Sequence, residues 1–142
     1  MAGLTAIVDT SELVRIERGY RDRAGEFLAG LPGRNAIAAI TVAELYKGWH
    51  RAVTAAQRAS AERYIVEVLR ILPVEPFGVP EAREYARLAE LLRERGLTVG
   101  AHDLQIAATA MVAGANVITR NAREFAQVPG LGVRTLKLGP PR

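Results

Sequence analysis

Four polar side chains stand where apolar runs of this chain stop, or where its most apolar helix begins. Asp9 follows "AIV", Glu44 follows "NAIAAITVA", Asp103 heads "DLQIAATAMVAGA", and Asn121 follows "NVITR". They are far apart in the chain, so any shared chemistry has to be assembled by the fold. A carboxylate at the head of a nearly all-apolar helix is at risk of losing its water, and a buried charge costs several kcal/mol unless it is paired or bound to metal. Basic residues beside these acids are few: His102, Lys47 and Arg120. Asp9, Glu44 and Asp103 gathered at one sheet edge would repel one another unless a cation sat among them. An all-oxygen donor set of that kind favours Mg²⁺ or Mn²⁺ over Zn²⁺. It suits metal-assisted hydrolysis of a phosphodiester.

Each residue also has a plainer reading. Asp9 is a favoured cap for a helix beginning near Thr10, and Asp103 could cap its own helix. Thr41-Val42-Ala43-Glu44 fits a capping box, in which the acid bonds back to the cap residue. Asn121 could hold the turn before "AREF".

The elements that would position these groups alternate between short β-like runs and longer helical ones. "AIV", "NAIAAI", "LPVEPF", "NVIT" and "LGVRTL" read as extended. "SELVRIERG" with "YRDRAGEFLAGL" reads as helical, broken around Gly19, and "TVAELYKGWHR" and "TAAQRASAERYIVEVLRI" read as two more helices. "PEAREYARLAELLRERG" is the clearest, with Pro80 in its first turn, Gly96 as its stop, and a stripe of Tyr85, Leu88, Ala89 and Leu92. Its remaining face pairs glutamates with arginines three or four positions on, which is a solvated surface rather than a ligand site. The helix from Asp103 is apolar nearly all round and belongs at the centre of a domain. Short strands separated by helices imply an α/β fold with a parallel sheet covered on both faces, whose ligands bind beyond the carboxyl ends of the strands.

Composition sets the outer bounds. The 142 residues, 49% of them hydrophobic and 24% charged, suit one domain with its own core. No repeat or linker interrupts them, and the tail "KLGPPR" reads as loose. With no cysteine, disulfides, zinc thiolate sites and cysteine nucleophiles are excluded, and a cytoplasmic setting is the expectation. "MAGLTAIVD" lacks the basic and apolar regions of a signal peptide, and no window is long enough for a membrane span. A net charge of +4 is compatible with a polyanionic partner.

"IVDTSELV", "ITVAELYKG", "HDLQIAATA" and "VITRNAREFAQVPGL", in that order, resemble the PIN domain, and in particular the VapC-like toxins of bacterial toxin–antitoxin pairs. The likeness runs from about residue 6 to about residue 135 of a single domain spanning 1–142. It implies an α/β/α sandwich around a short-stranded parallel sheet, and a Mg²⁺-dependent endoribonuclease that acts as a toxin. Asp9, Glu44 and Asp103 take the positions of the acidic site. The family commonly has a further acidic or polar ligand after the "VIT" strand, and Asn121 stands there without a charge, able only to orient a metal-bound water. Glu124 is the alternative at that corner, unless it serves as a cap. Thr10, Ser11 and Thr119 match the hydroxyls beside the acids. Lys47, Arg51, Arg120 and Arg123 are the candidates for RNA phosphate contacts. The implied partners are RNA, a small cognate antitoxin and a second copy of the chain in a homodimer.

Other readings compete with this one. His50 and His102 lack metal spacing, and Tyr46 and Trp49 are either base-stacking faces or core. A dehalogenase-type phosphatase would want an acid at position 11, where Ser11 stands, and a receiver-type domain lacks its paired acid. The rival from another class is a non-catalytic PIN-like domain, binding RNA or protein, in which the acids are caps and Asn121 marks the lost site.

Overall fold

The computed structural model describes residues 3–137. The "KLGPPR" tail falls outside them, apart from Lys137. Five short strands, β1 (Ala6–Val8), β2 (Asn35–Ala38), β3 (Val74–Glu75), β4 (Asn116–Ile118) and β5 (Val133–Arg134), form one sheet in the order β3-β2-β1-β4-β5. Every pairing is parallel, with Ile7 beside Ala36 on one side and Val117 on the other. Both faces are covered, so the central strands read as unbroken apolar runs rather than alternating ones. Their side chains still alternate between two cores. Ile7, Ala36, Ala38 and Val117 pack on one face, and Ala6, Val8, Ile37 and Ile118 on the other.

The helices divide along the same line. The second face is covered by α1 (Thr10–Tyr20), α2 (Ala24–Ala29) and α4 (Ala55–Ile71) through Leu13, Ile16, Leu28, Ile65 and Val68. Buried Tyr64 ties α4 to α1, its hydroxyl donating to the Leu13 carbonyl at 2.5 Å. The first face is covered by α5 (Val79–Glu94), α6 (Ala101–Ala113) and the single turn α7 (Ala122–Phe125). Leu88 and Leu92 of the expected α5 stripe are buried, and α6 is buried at Leu104 and from Ile106 to Ala110, as a helix apolar nearly all round requires. Gly114 ends α6 with a left-handed φ of 68°, a conformation glycine adopts without strain.

Strand order locates the functional edge. The chain steps from β1 outward through β2 to β3, then crosses back over β1 to lay β4 on its other side. That reversal makes the carboxyl ends of β1 and β4 the switch point at which open parallel sheets hold ligands.

Three local expectations differ from the structure. The first helical pair breaks at Arg21 (φ 48°), in a 3₁₀ turn over Arg21–Arg23, and not around Gly19. The Thr41–Glu44 capping box does not form. The helix α3 (Ala39–Arg51) starts directly out of β2 with Ala38 at its cap position, so Thr41 already lies inside its first turn and is buried. Asp103 likewise sits inside the first turn of α6, whose cap residue is Gly100.

Candidate functional site

Asp9 leaves β1 at the switch point. Its backbone does what a cap does, because its carbonyl accepts from the amides of Glu12 at 3.0 Å and Leu13 at 3.2 Å. Its side chain does not cap. The residue is 2% exposed, and its Oδ2 accepts from the hydroxyls of Ser11 and Thr119 at 2.7 Å each rather than from a helix amide. Thr119 follows β4 directly, so the neighbouring strand supplies half of this grip. The backbone amide of Asn121 donates to Thr119 Oγ1 at 2.8 Å and fixes that hydroxyl in turn. Neutral donors hold the carboxylate in place without cancelling its charge.

Glu44 projects from the second turn of α3. Its Oε1 accepts from Thr10 Oγ1 at 2.8 Å, and that hydroxyl lies 3.0 Å from the Thr41 hydroxyl. On its other side, Glu44 Oε2 is 3.4 Å from His102 Nδ1. His102, which sequence spacing discounts as a ligand, therefore lines the site from the first turn of α6. No fixed period relates His102 to Glu44 in sequence; they meet because α3 and α6 converge.

Asp103, one residue on, carries the strongest electrostatic signature. Its pKa is raised from 3.8 to about 7, first by burial and then by the negative charges of Asp9, Glu124 and Glu44. Glu124, whose charge acts on Asp103, accepts from the Gly100 amide at 3.0 Å. It thus combines the two roles the sequence left open, capping α6 from outside and joining the acids. The side-chain amide of Asn121 makes no hydrogen bond to these carboxylates among the described residues.

Lys47 and Arg51 follow Glu44 by one and two turns along α3 and are exposed. Arg120 and Arg123 are exposed beside α7. Tyr46 is also exposed. Trp49 packs against the core and lies under the Arg58 guanidinium, 5.2 Å from its ring centroid.

Glu12 is the residue that the sequence reading missed. It is fully buried on α1, its carboxylate oxygens have no hydrogen-bond partner, and Arg15 Nη1 is 3.6 Å away. Burial raises its pKa, Arg15 and Arg120 oppose the rise, and Asp9 adds to it. The available signal was its spacing, since positions 9, 12, 13 and 16 fall on one helical face.

A divalent cation fits the chemistry of these donors. Among the described residues, no lysine or arginine forms a salt bridge with Asp9, Asp103 or Glu44, so their mutual repulsion is left to raise Asp103. No three acidic or histidine side chains there close into a ready-made cage. That suits Mg²⁺, which keeps several waters and takes one or two protein carboxylates, better than an ion bound by an all-protein shell.

A model of the PIN domain family matches residues 6–131. The chain belongs to the PIN domain family. Among similar PIN proteins, the ribonuclease VapC of Rickettsia bellii is 33% identical, over 93% of this chain and 96% of its own. The ribonuclease VapC1 of Rickettsia felis is 32% identical, over 92% and 95%. The crystal structure of VapBC2 from Rickettsia felis, bound to a promoter DNA fragment, superposes with a TM-score of 0.81 at 25% identity, covering 94% of this chain and all of that one. The expected α/β fold with its parallel central sheet is thus the PIN fold, and PIN ribonucleases as a class depend on metal.

Proposed function

We propose that this chain is a single-domain, metal-dependent endoribonuclease, the toxin of a toxin–antitoxin pair. The observation that carries the reading is the gathering of Asp9, Glu44 and Asp103 at the carboxyl ends of β1 and β4, with Asp103 raised to about 7 by burial and by neighbouring negative charges, which no lysine or arginine among the described residues pairs with. The naming of the similar proteins as VapC ribonucleases supports the substrate class, and the VapBC complex supports a small antitoxin partner. A cytoplasmic homodimer goes with the same reading. Among the described residues no helix is long and apolar enough to cross a membrane.

Asp9 and Asp103 would hold Mg²⁺ or Mn²⁺, with Asn121 able to orient one of its waters. When bound, the ion would neutralise charge on the scissile phosphate and favour ionisation of the attacking water. The chain's own groups do the rest. Ser11 and Thr119 hold the Asp9 carboxylate in one orientation. Thr10 fixes one oxygen of Glu44 and leaves the other toward His102, placing Glu44 to accept a proton from water. Lys47, Arg51, Arg120 and Arg123 hold the RNA phosphates on either side, the positive rim that an acidic centre needs if it is to accept a polyanion.

Mapped cleavage of RNA with and without Mg²⁺, by wild type beside Asp9→Asn and Asp103→Asn, tests the proposal. The expected result is metal-dependent cutting that both variants lose. Wild-type rates in either variant would refute these roles. RNA or protein binding indifferent to Mg²⁺ and to Asp9→Asn would instead favour the non-catalytic reading, for which the uncharged Asn121 after β4 is the supporting observation.

A further inference from the structure

A cavity of about 420 Å³ opens beside the acidic site, lined by Thr98, Arg120, Asn121, Arg123, Glu124 and Gln127. It adjoins the acids through two of its own members. The charge of Glu124 acts on Asp103, and the backbone of Asn121 holds the threonine that holds Asp9. Its volume lies near the lower end of the roughly 300–1,000 Å³ range of small-ligand sites, which suits one nucleotide.

Arg70, Arg87 and Arg93 pair with glutamates three positions earlier, whereas Arg120 and Arg123 form no salt bridge among the described residues. The one acid in the wall, Glu124, accepts from the Gly100 amide and acts on Asp103. Arg120 also acts on the buried Glu12 charge, and two guanidiniums outside any salt bridge beside a phosphodiester site are matched to a phosphate. The remaining groups have a different chemistry. The Thr98 hydroxyl and the Asn121 side-chain amide have no hydrogen-bond partner among the described residues, and the Gln127 side chain makes only a 3.4 Å contact from Nε2 to the Glu124 carbonyl. Amides and hydroxyls can both donate and accept, as the edge of an unpaired base requires.

We propose that this cavity is a specificity subsite for the single-stranded RNA nucleotide next to the scissile phosphate, with Arg120 and Arg123 on its phosphate and Thr98, Asn121 and Gln127 on its base. The proposal rests on the ribonuclease reading. A carboxylate of a partner protein would also satisfy the two arginines, but the cavity has the size of one nucleotide and adjoins the acids, so RNA is the occupant that its place favours.

The test has two arms on the full-length chain. In the first, a labelled single-stranded RNA is titrated by fluorescence anisotropy in the uncut Asp103→Asn background. Adding Arg123→Gln is expected to weaken binding roughly fivefold and to reduce the slope of affinity against salt by about one, while Arg83→Gln, an exposed change on α5, leaves the slope unchanged. In the second arm, otherwise wild-type protein carrying Thr98→Val or Gln127→Ala cuts a randomised RNA. Base preference is expected to relax at one position flanking the cut, while the other positions keep their profile. Unchanged affinity, slope and profile in a protein that still cuts RNA would overturn the subsite, leave the cavity to an acidic partner, and spare the ribonuclease reading. Loss of binding by Arg123→Gln where the wild type cuts no RNA would show an RNA contact without a scissile phosphate, and would overturn the specificity subsite together with the catalytic proposal.

Discussion

Acidifying the solution is expected to expel the divalent ion, because Asp103 has to give up a proton before it can act as a ligand. With its pKa at about 7, the metal-free carboxyl is half protonated near neutrality. Proton competition then weakens apparent metal affinity roughly tenfold between about pH 8 and about pH 6, and about tenfold for each further unit below. Burial is the first cause of the shift and the charges of Asp9, Glu124 and Glu44 follow, so the perturbation can be dissected. Asp103→Asn removes the titrating group and should flatten the dependence. Glu124→Gln removes one raising charge while keeping the side chain's size, and should move the midpoint toward acid. Mn²⁺ affinity measured by electron paramagnetic resonance across this range, in wild type and both variants, reads the effect without any RNA. An affinity that is flat in wild type, or equally steep in Asp103→Asn, would refute the reasoning. Linkage supplies a check with its own sign. An acid whose folded pKa exceeds its unfolded value loses stability as pH rises from about 3.8 to about 7. The metal-free protein should therefore melt at higher temperature at the acid end of that window, and added Mg²⁺ should stabilise it most above about pH 7.

Three further outcomes follow from individual residues. Ser11→Ala and Thr119→Val, which strip the two hydroxyls from Asp9 Oδ2, should each weaken Mn²⁺ binding about 10- to 100-fold with the circular dichroism spectrum unchanged. Glu12→Gln removes a buried charge that lacks hydrogen bonds, so urea denaturation should show a gain of about 1 kcal/mol near neutral pH. Because burial raises the Glu12 pKa above 4.5, the gain should vanish below that value; a large loss at all pH values would show the carboxylate to be structurally required. Leu88→Ala, at the centre of the α5 stripe and fully buried, should cost about 2–5 kcal/mol in the same assay.

The alternating apolar runs were enough to read a parallel α/β domain, since strands buried on both faces need no polar residue and α6 could only be central. They also mark the strand ends and the head of α6, and so single out Asp9, Glu44, Asp103 and Asn121 as residues at a binding edge. The family motifs added the hydroxyls of Thr10, Ser11 and Thr119 beside them. What local sequence could not show is which side-chain atoms meet. Caps and acidic sites draw on the same residue types, and only the conformations separate them: Asp9 caps with its carbonyl and frees its carboxylate, and α3 starts early enough to cancel the Thr41–Glu44 capping box. Glu12 and His102 show the same limit. Helical spacing brings Glu12 to the buried side of α1 but does not reveal that its carboxylate lacks hydrogen bonds, and no spacing places His102 against Glu44. The sequence by itself determined the elements, their burial and the acids at their ends, because those depend on residue type and local period. The tertiary structure alone decided the crossing that sets β4 beside β1, and with it the shared charge of distant carboxylates, because repulsion and desolvation depend on distances in space that separation along the chain does not encode.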